Sequence, residues 1–154
     1  VNEKIIIGRR DRADFPEWNL EDIDIKIDTG AYTSSIHCHH IEQTEQNGKP
    51  LLRFELLDPS HPSYHNKTLT TTEFKQKLVK NSFGVSEKRY VVRSLITLFE
   101  KQWPIELTLS LRGEMKFPVL IGRKLLNKSF VVDTQKSNLS FRRKTKALQG
   151  KNKN

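Results

Sequence analysis

The chain has 154 residues, 35% of them apolar and 29% charged, which is one domain's worth of polypeptide with enough apolar content for a sizeable core. No apolar run approaches the ~18 residues of a membrane helix, and a single cysteine, Cys38, excludes an internal disulfide. The net charge is +9, but six of the basic residues fall in the acid-free stretch 142–154, leaving +3 for the rest, so the body is only mildly basic and a nucleic-acid partner is disfavoured.

The N-terminus, VNEKIIIGRR, has no signal-peptide pattern. A cytoplasmic location is expected, or a periplasmic one if a signal has been removed. DIDIKID (22–28) sets Ile23, Ile25 and Ile27 against charged residues, the period-two pattern of a half-buried strand. EQNGKP (45–50) carries Asn-Gly, the strongest short hairpin signal, and LLRFELL (51–57) reads as the strand after it. DPSHPSYHN (58–66) is a loop rich in proline and serine. RYVVRSLITLF (89–99) is β-rich, and PIELTLSLR (104–112) alternates Ile105, Leu107, Leu109 and Leu111 with polar residues. GRKLLN (122–127) is the one short helical stretch. SFVVD (129–133) and NLSF (138–141) read as late strands, and 142–154 as a basic disordered tail after a single domain at 1–141. Trp18 and Trp103 border strands and are assigned to packing. Met115 and Phe117 are expected to pack under the segment that follows them. Many short strands predict an all-β fold, a small closed or partly closed barrel that hides its sheet edges.

Asp28-Thr29-Gly30 follows the three isoleucines. An aspartate at a strand end, a hydroxyl to brace the loop and a glycine able to take positive φ can fix a carboxylate as a general base. The plain alternative is a polar turn. Peptide hydrolysis of the two-aspartate kind needs two carboxylates about 3 Å apart sharing one proton. The chain has one DTG, so the second aspartate must come from another copy across a two-fold axis. His37 and His39 share a face on a regular strand and with His61 and His65 are a weak zinc alternative. Against it, Ile36 and Cys38 point inward and the histidines into solvent, and no H-E-x-x-H signature occurs. Cys38 lacks a base placed to activate it.

Two separated stretches, IDTGA (27–31) and FPVLIGRKLL (117–126), resemble the two signature segments of retroviral aspartic peptidases. The finer resemblance is to a retropepsin-like bacterial aspartic peptidase family labelled ATP-dependent zinc protease, whose members occur near ATP-grasp ligases that add glutamates to proteins. It is carried by IDTGAYTSSIHC (27–38), SFGVSEKRYVVRSLITL (82–98), WPIELTLSLRGEMKFPVLIGRKLL (103–126) and FVVD (130–133).

The resemblance implies a retropepsin-like fold, with the apolar part of the Gly-Arg segment packed beside the catalytic loop. It implies an aspartic endopeptidase needing no cofactor and working as a homodimer. Asp28 matches the catalytic aspartate, Thr29 and Gly30 the residues that hold it, and Arg123 the arginine that braces loop and dimer interface. Glu87 and Arg89 match an E-x-R segment, read as a substrate-side or structural ion pair. Tyr32 stands where retropepsins carry an acid that pairs with the Arg123 position, so that ion pair cannot form in the same way. The family context implies a peptide substrate rich in glutamate, or glutamate-tailed protein, and a ligase partner. The alternatives are a catalytically weak module that binds an acidic peptide or that ligase, and a zinc metallopeptidase.

Overall fold

The structure, a computed structural model, describes residues 3–80, 83–111 and 116–152. Met115 lies outside the described residues, as does the start of the NSFGVS segment. In chain order the elements are β1 (Ile5–Ile7), β2 (Arg10–Phe15), a 3-10 turn (Pro16–Trp18), β3 (Leu20–Ile27), β4 (Ser34–Gln46), β5 (Lys49–Leu56), β6 (Leu69–Thr71) and β7 (Lys75–Lys80). There follow β8 (Ser86–Leu98), β9 (Lys101–Ser110), β10 (Val119–Ile121), α1 (Arg123–Ser129), β11 (Phe130–Val132) and α2 (Leu139–Asn152).

The alternation in sequence becomes alternation in burial. Ile23, Ile25 and Ile27 of β3, and Ile105, Leu107 and Leu109 of β9, enter one core, while Asp24 and Lys26 stay outside. Asn47 and Gly48 both take positive φ, 53° and 78°, and join β4 to β5 as the Asn-Gly pair predicts. Six strands form a ring in the order β10, β3, β2, β8, β9, β4, and β4 returns to β10 through Val119↔Ile36 and Leu120↔Ser35. The ring is thin where β2 meets β8, paired in register only at Asp14↔Thr97, so the barrel is partly closed. β5 and β6 extend it from β4, β7 from β8, and β1 and β11 make a separate parallel pair. Trp18 packs between Phe15 and Phe54, and Trp103 lies 5.0 Å from Phe130 with its indole N–H on the Leu98 carbonyl, so both are packing residues. Phe117 is half-buried ahead of β10.

The end of the chain departs from its sequence reading. NLSF is not a strand: Leu139 begins α2, which runs through the stretch read as a disordered tail to Asn152. The cause lies far away in sequence. Asp11 on β2 is 1% exposed, and its carboxylate accepts the N–H groups of Ser140 at 2.9 Å and Phe141 at 3.0 Å, which no turn of the helix itself can satisfy. Asn138, at φ 58°, turns the chain into the helix. Lys144 then reaches Asp14 at 2.9 Å and Asp22 at 2.8 Å, and the Arg12 guanidinium lies 4.5 Å from the centre of the Phe141 ring. Burial alone would lower the pKa of Lys144, but the Asp22 and Asp14 carboxylates outweigh it and raise it. The basic stretch is thus docked on acids of β2 and of β3 (Asp22). Among the described residues, no helix is long and apolar enough to cross a membrane.

Candidate active site

The site is built where β3 and β10 run side by side. They are parallel, with Val119 opposite Ile25 and Ile121 opposite Ile27, so the two signature segments end together. The Asp28 N–H donates to the Ile121 carbonyl at 2.8 Å, continuing that pairing one residue past β3. The chain then turns. The Gly30 N–H donates to Asp28 Oδ1 at 3.0 Å, and the Ala31 N–H to the Asp28 carbonyl at 3.3 Å. Asp28 is half-buried, while Thr29 and Gly30 are exposed. The carboxylate is therefore fixed through one oxygen by a backbone amide and remains open towards solvent.

Gly30 does not serve as its sequence position suggests. Its φ is not among the positive values, so it is not there for a left-handed turn. What it supplies is room: a Cβ would stand 3.3 Å from Asp28 Oδ1. Thr29 also acts differently, joining the network through its carbonyl rather than the hydroxyl expected to brace the loop.

α1 clamps the loop from the other side. Arg123 and Lys124 donate their backbone N–H groups to the carbonyls of Ala31 and Tyr32, each at 2.8 Å. Arg123 Nη1 donates to the Thr29 carbonyl at 2.9 Å, and the guanidinium lies 5.9 Å from the centre of the Tyr32 ring. With Tyr32 in place of an acid, the arginine keeps its hold on the loop through a carbonyl and an aromatic face. Gly122 makes the approach possible: a Cβ there would come within 2.6 Å of the carbonyl oxygens of Tyr32 and Thr33. Its N–H donates to Ser34 Oγ at 3.0 Å, and Ser34 is buried. Sequence reading overlooked Ser34 and the structural use of Tyr32. The only signal for them was position, directly behind DTGA.

The RimB-like family, described as retropepsin-like aspartic endopeptidase RimB, matches residues 6–143. The chain belongs to this family. Among curated relatives, this RimB-like chain is 36% identical over 140 residues to "Probable alpha-L-glutamate ligase" of Shewanella pealeana, covering 88% of this chain and 30% of that protein. A protein of the same name from Desulfotalea psychrophila is 36% identical over 134 residues, covering 84% of this chain and 28% of that protein. The chain thus spans under a third of the length of these relatives. Among solved structures, the protein Lpg0085 of Legionella pneumophila, of unknown function, matches with a TM-score of 0.66 at 27% identity, covering 88% of this chain and 97% of that one.

The other candidate residues of the RimB-like chain lie elsewhere. Glu87 and Arg89 are neighbours on one face of β8, 3.7 Å apart at Oε2 and Nη2, on the hairpin that β8 makes with β7. They line an open cleft of about 600 Å³ with Ile41, Tyr90 and Leu109. The histidines differ in their surroundings. The pairing of β4 with β5 shifts between Cys38 and His40, a bulge. His37, expected in solvent, is 4% exposed, covered by the segments around Asp58 and Pro118, while His39 and His40 are exposed. His37 and His39 differ in burial, His37 enclosed beside Asp58 and Pro118 and His39 exposed with its ring 6.0 Å from that of Tyr64. Burial lowers the pKa of His37, opposed by Asp58, whose Oδ2 lies 3.9 Å from Nε2. His61 turns its Nδ1 to the Ser63 N–H at 3.0 Å. Among the described residues, no three His, Cys, Asp or Glu side chains are grouped to hold a metal ion. Burial pushes the Cys38 thiol far above the ordinary cysteine range, which removes it as a nucleophile.

Proposed function

We propose that this chain is an aspartic endopeptidase in which Asp28 activates water, with the active site shared across a homodimer. The observation that carries the reading is the Asp28 carboxylate, fixed on one side by the Gly30 amide and open on the other, in a loop clamped by Arg123. In a dimer that brings two copies of this loop together, the two carboxylates share one proton. The ionised one takes a proton from water as the oxygen attacks the scissile carbonyl, and the protonated one polarises that carbonyl. The protons then pass to the leaving amine and back to the pair. Support for association comes from the β1–β11 sheet, where Ile6 and Val131 stand opposite one another, 48% and 51% exposed, on a sheet of two strands among the described residues.

The substrate read from the family context is glutamate-rich or glutamate-tailed protein. The similar relatives called "Probable alpha-L-glutamate ligase" support that direction, and so does the positive charge of the chain. The same relatives favour a second reading, in which the domain binds an acidic chain or a ligase and cleaves weakly. A mixed peptide pool that includes glutamate-rich peptides separates the two. Wild type, Asp28→Asn and EDTA-treated wild type are incubated with it and read by mass spectrometry. The aspartic reading expects cleavage in wild type with and without EDTA, and a loss of about a hundredfold or more in Asp28→Asn. Cleavage lost only with EDTA contradicts it in favour of a metal. Binding without cleavage in every arm favours the second reading.

A further inference from the structure

Beside the Asp28 loop, β8, β9 and α1 enclose a second recess of about 350 Å³, lined by Ser34, Arg93, Ser94, Glu106, Lys124 and Lys128 among others. Ser94 is 6% exposed, and its Oγ is buried without a hydrogen-bond partner. A buried hydroxyl with nothing to bond is uncommon and calls for a partner from outside. Charge points the same way. The side chain of Glu106, 16% exposed, meets Lys124 Nζ at 2.7 Å, Arg93 Nε at 3.4 Å and Lys75 Nζ at 4.0 Å. One carboxylate thus faces three cations, and Lys128 adds a fourth to the walls. Lys75 enters through an adjoining cleft that shares Arg93 and Glu106. The positive charge left over lies in a recess with apolar walls, where an anion is held more strongly than on an open surface. The hydrogen bond from Lys124 holds the Glu106 carboxyl below its ordinary pKa. Lys124 and Arg93 thus already meet one carboxylate, the same chemistry an acidic side chain from outside would bring to them and to Lys128.

We propose that this recess is a second binding site, which takes a carboxylate side chain of an acidic peptide on Lys124, Lys128 and Arg93 with the Ser94 hydroxyl donating to it. The proposal rests on the peptidase reading for the peptide and extends it by giving an acidic chain a foothold away from the scissile bond. α1 ties the two places together, because Arg123 grips the Thr29 carbonyl while Lys124, the next residue, reaches into the recess.

The test is binding, with cleavage removed. Dye-labelled tetraglutamate is titrated with the full chain carrying Asp28→Asn, and inorganic phosphate is titrated in parallel. In that background, Lys124→Gln/Lys128→Gln should weaken tetraglutamate binding about tenfold and Ser94→Ala about threefold, as expected for lost charge-assisted hydrogen bonds. Lys128→Gln alone, at an exposed position, should weaken it about threefold and serves should the double variant fail to fold. Arg142→Gln/Arg143→Gln on α2 removes the same charge elsewhere and should leave binding within about twofold. Equal weakening by the α2 pair, phosphate binding as tightly as tetraglutamate, or no tetraglutamate binding at all would each overturn the proposal. Because the readout is affinity, a chain that binds as expected but never cleaves would sink the peptidase reading and leave the recess standing.

Discussion

Two aspartates near helix starts show what separates a structural carboxylate from a working one. Asp11 is 1% exposed and takes three backbone amides, from Arg12, Ser140 and Phe141. Its oxygens are committed to holding α2 against β2. Asp28 sits beside the first turn of α1, but that helix does not use it as a cap. α1 grips the loop around it through the carbonyls of Thr29, Ala31 and Tyr32, and Asp28 Oδ1 takes only the Gly30 amide. The loop is fixed by its backbone, which leaves the carboxylate half-exposed for chemistry.

The comparison breaks most readily at Gly122. The change Gly122→Ala puts a methyl 2.6 Å from two carbonyl oxygens, so α1 must move off the loop. The expected cost is about 2–3 kcal/mol of stability in urea denaturation, together with loss of any cleavage. An unchanged midpoint would show that the close approach is not needed. Next comes the contrast between the aspartates themselves. The change Asp11→Ala leaves buried amides without an acceptor and should cost about 2 kcal/mol, with loss of helix signal in circular dichroism. Asp28→Ala should cost under about 1 kcal/mol, since one exposed turn bond is lost. Equal costs would erase the distinction.

The smallest effect is on pH dependence. Burial raises the pKa of Asp11 above its ordinary 3.8, and the amides of Ser140, Arg12 and Phe141 oppose it without cancelling it. The fold therefore keeps this proton longer than the unfolded chain does. Stability from this group is full below 3.8 and is lost as pH rises through the folded value. Wild type should lose stability relative to Asp11→Asn across that window, measured by denaturation at stepped pH. A constant difference would mean that burial does not govern this group.

The parts legible in the sequence are those set by local pattern. Alternating isoleucines made β3, Asn47-Gly48 made the β4–β5 hairpin, and GRKLLN made the short helix α1. The resemblance put the two signature segments side by side, and β3 and β10 are parallel neighbours. What the sequence concealed depends on distant partners. The amides that begin α2 are capped by Asp11, 129 residues from Ser140, and the lysines that looked like a loose tail include Lys144, paired with Asp14 and Asp22. His37 is buried because the distant segments around Asp58 and Pro118 cover it, which strand alternation alone does not reveal. Gly30 and Thr29 were recognised, but for reasons of φ and hydroxyl that the loop does not use.

The measurement that tests the central claim most directly mixes wild-type chain with Asp28→Asn in stepped ratios at constant total protein, after exchange of subunits, and follows cleavage of a glutamate-rich peptide. If two Asp28 carboxylates must meet, activity falls as the square of the wild-type fraction. A linear fall would mean that one chain works with a single Asp28, and activity unaffected by the variant's share would mean that Asp28 is not the base.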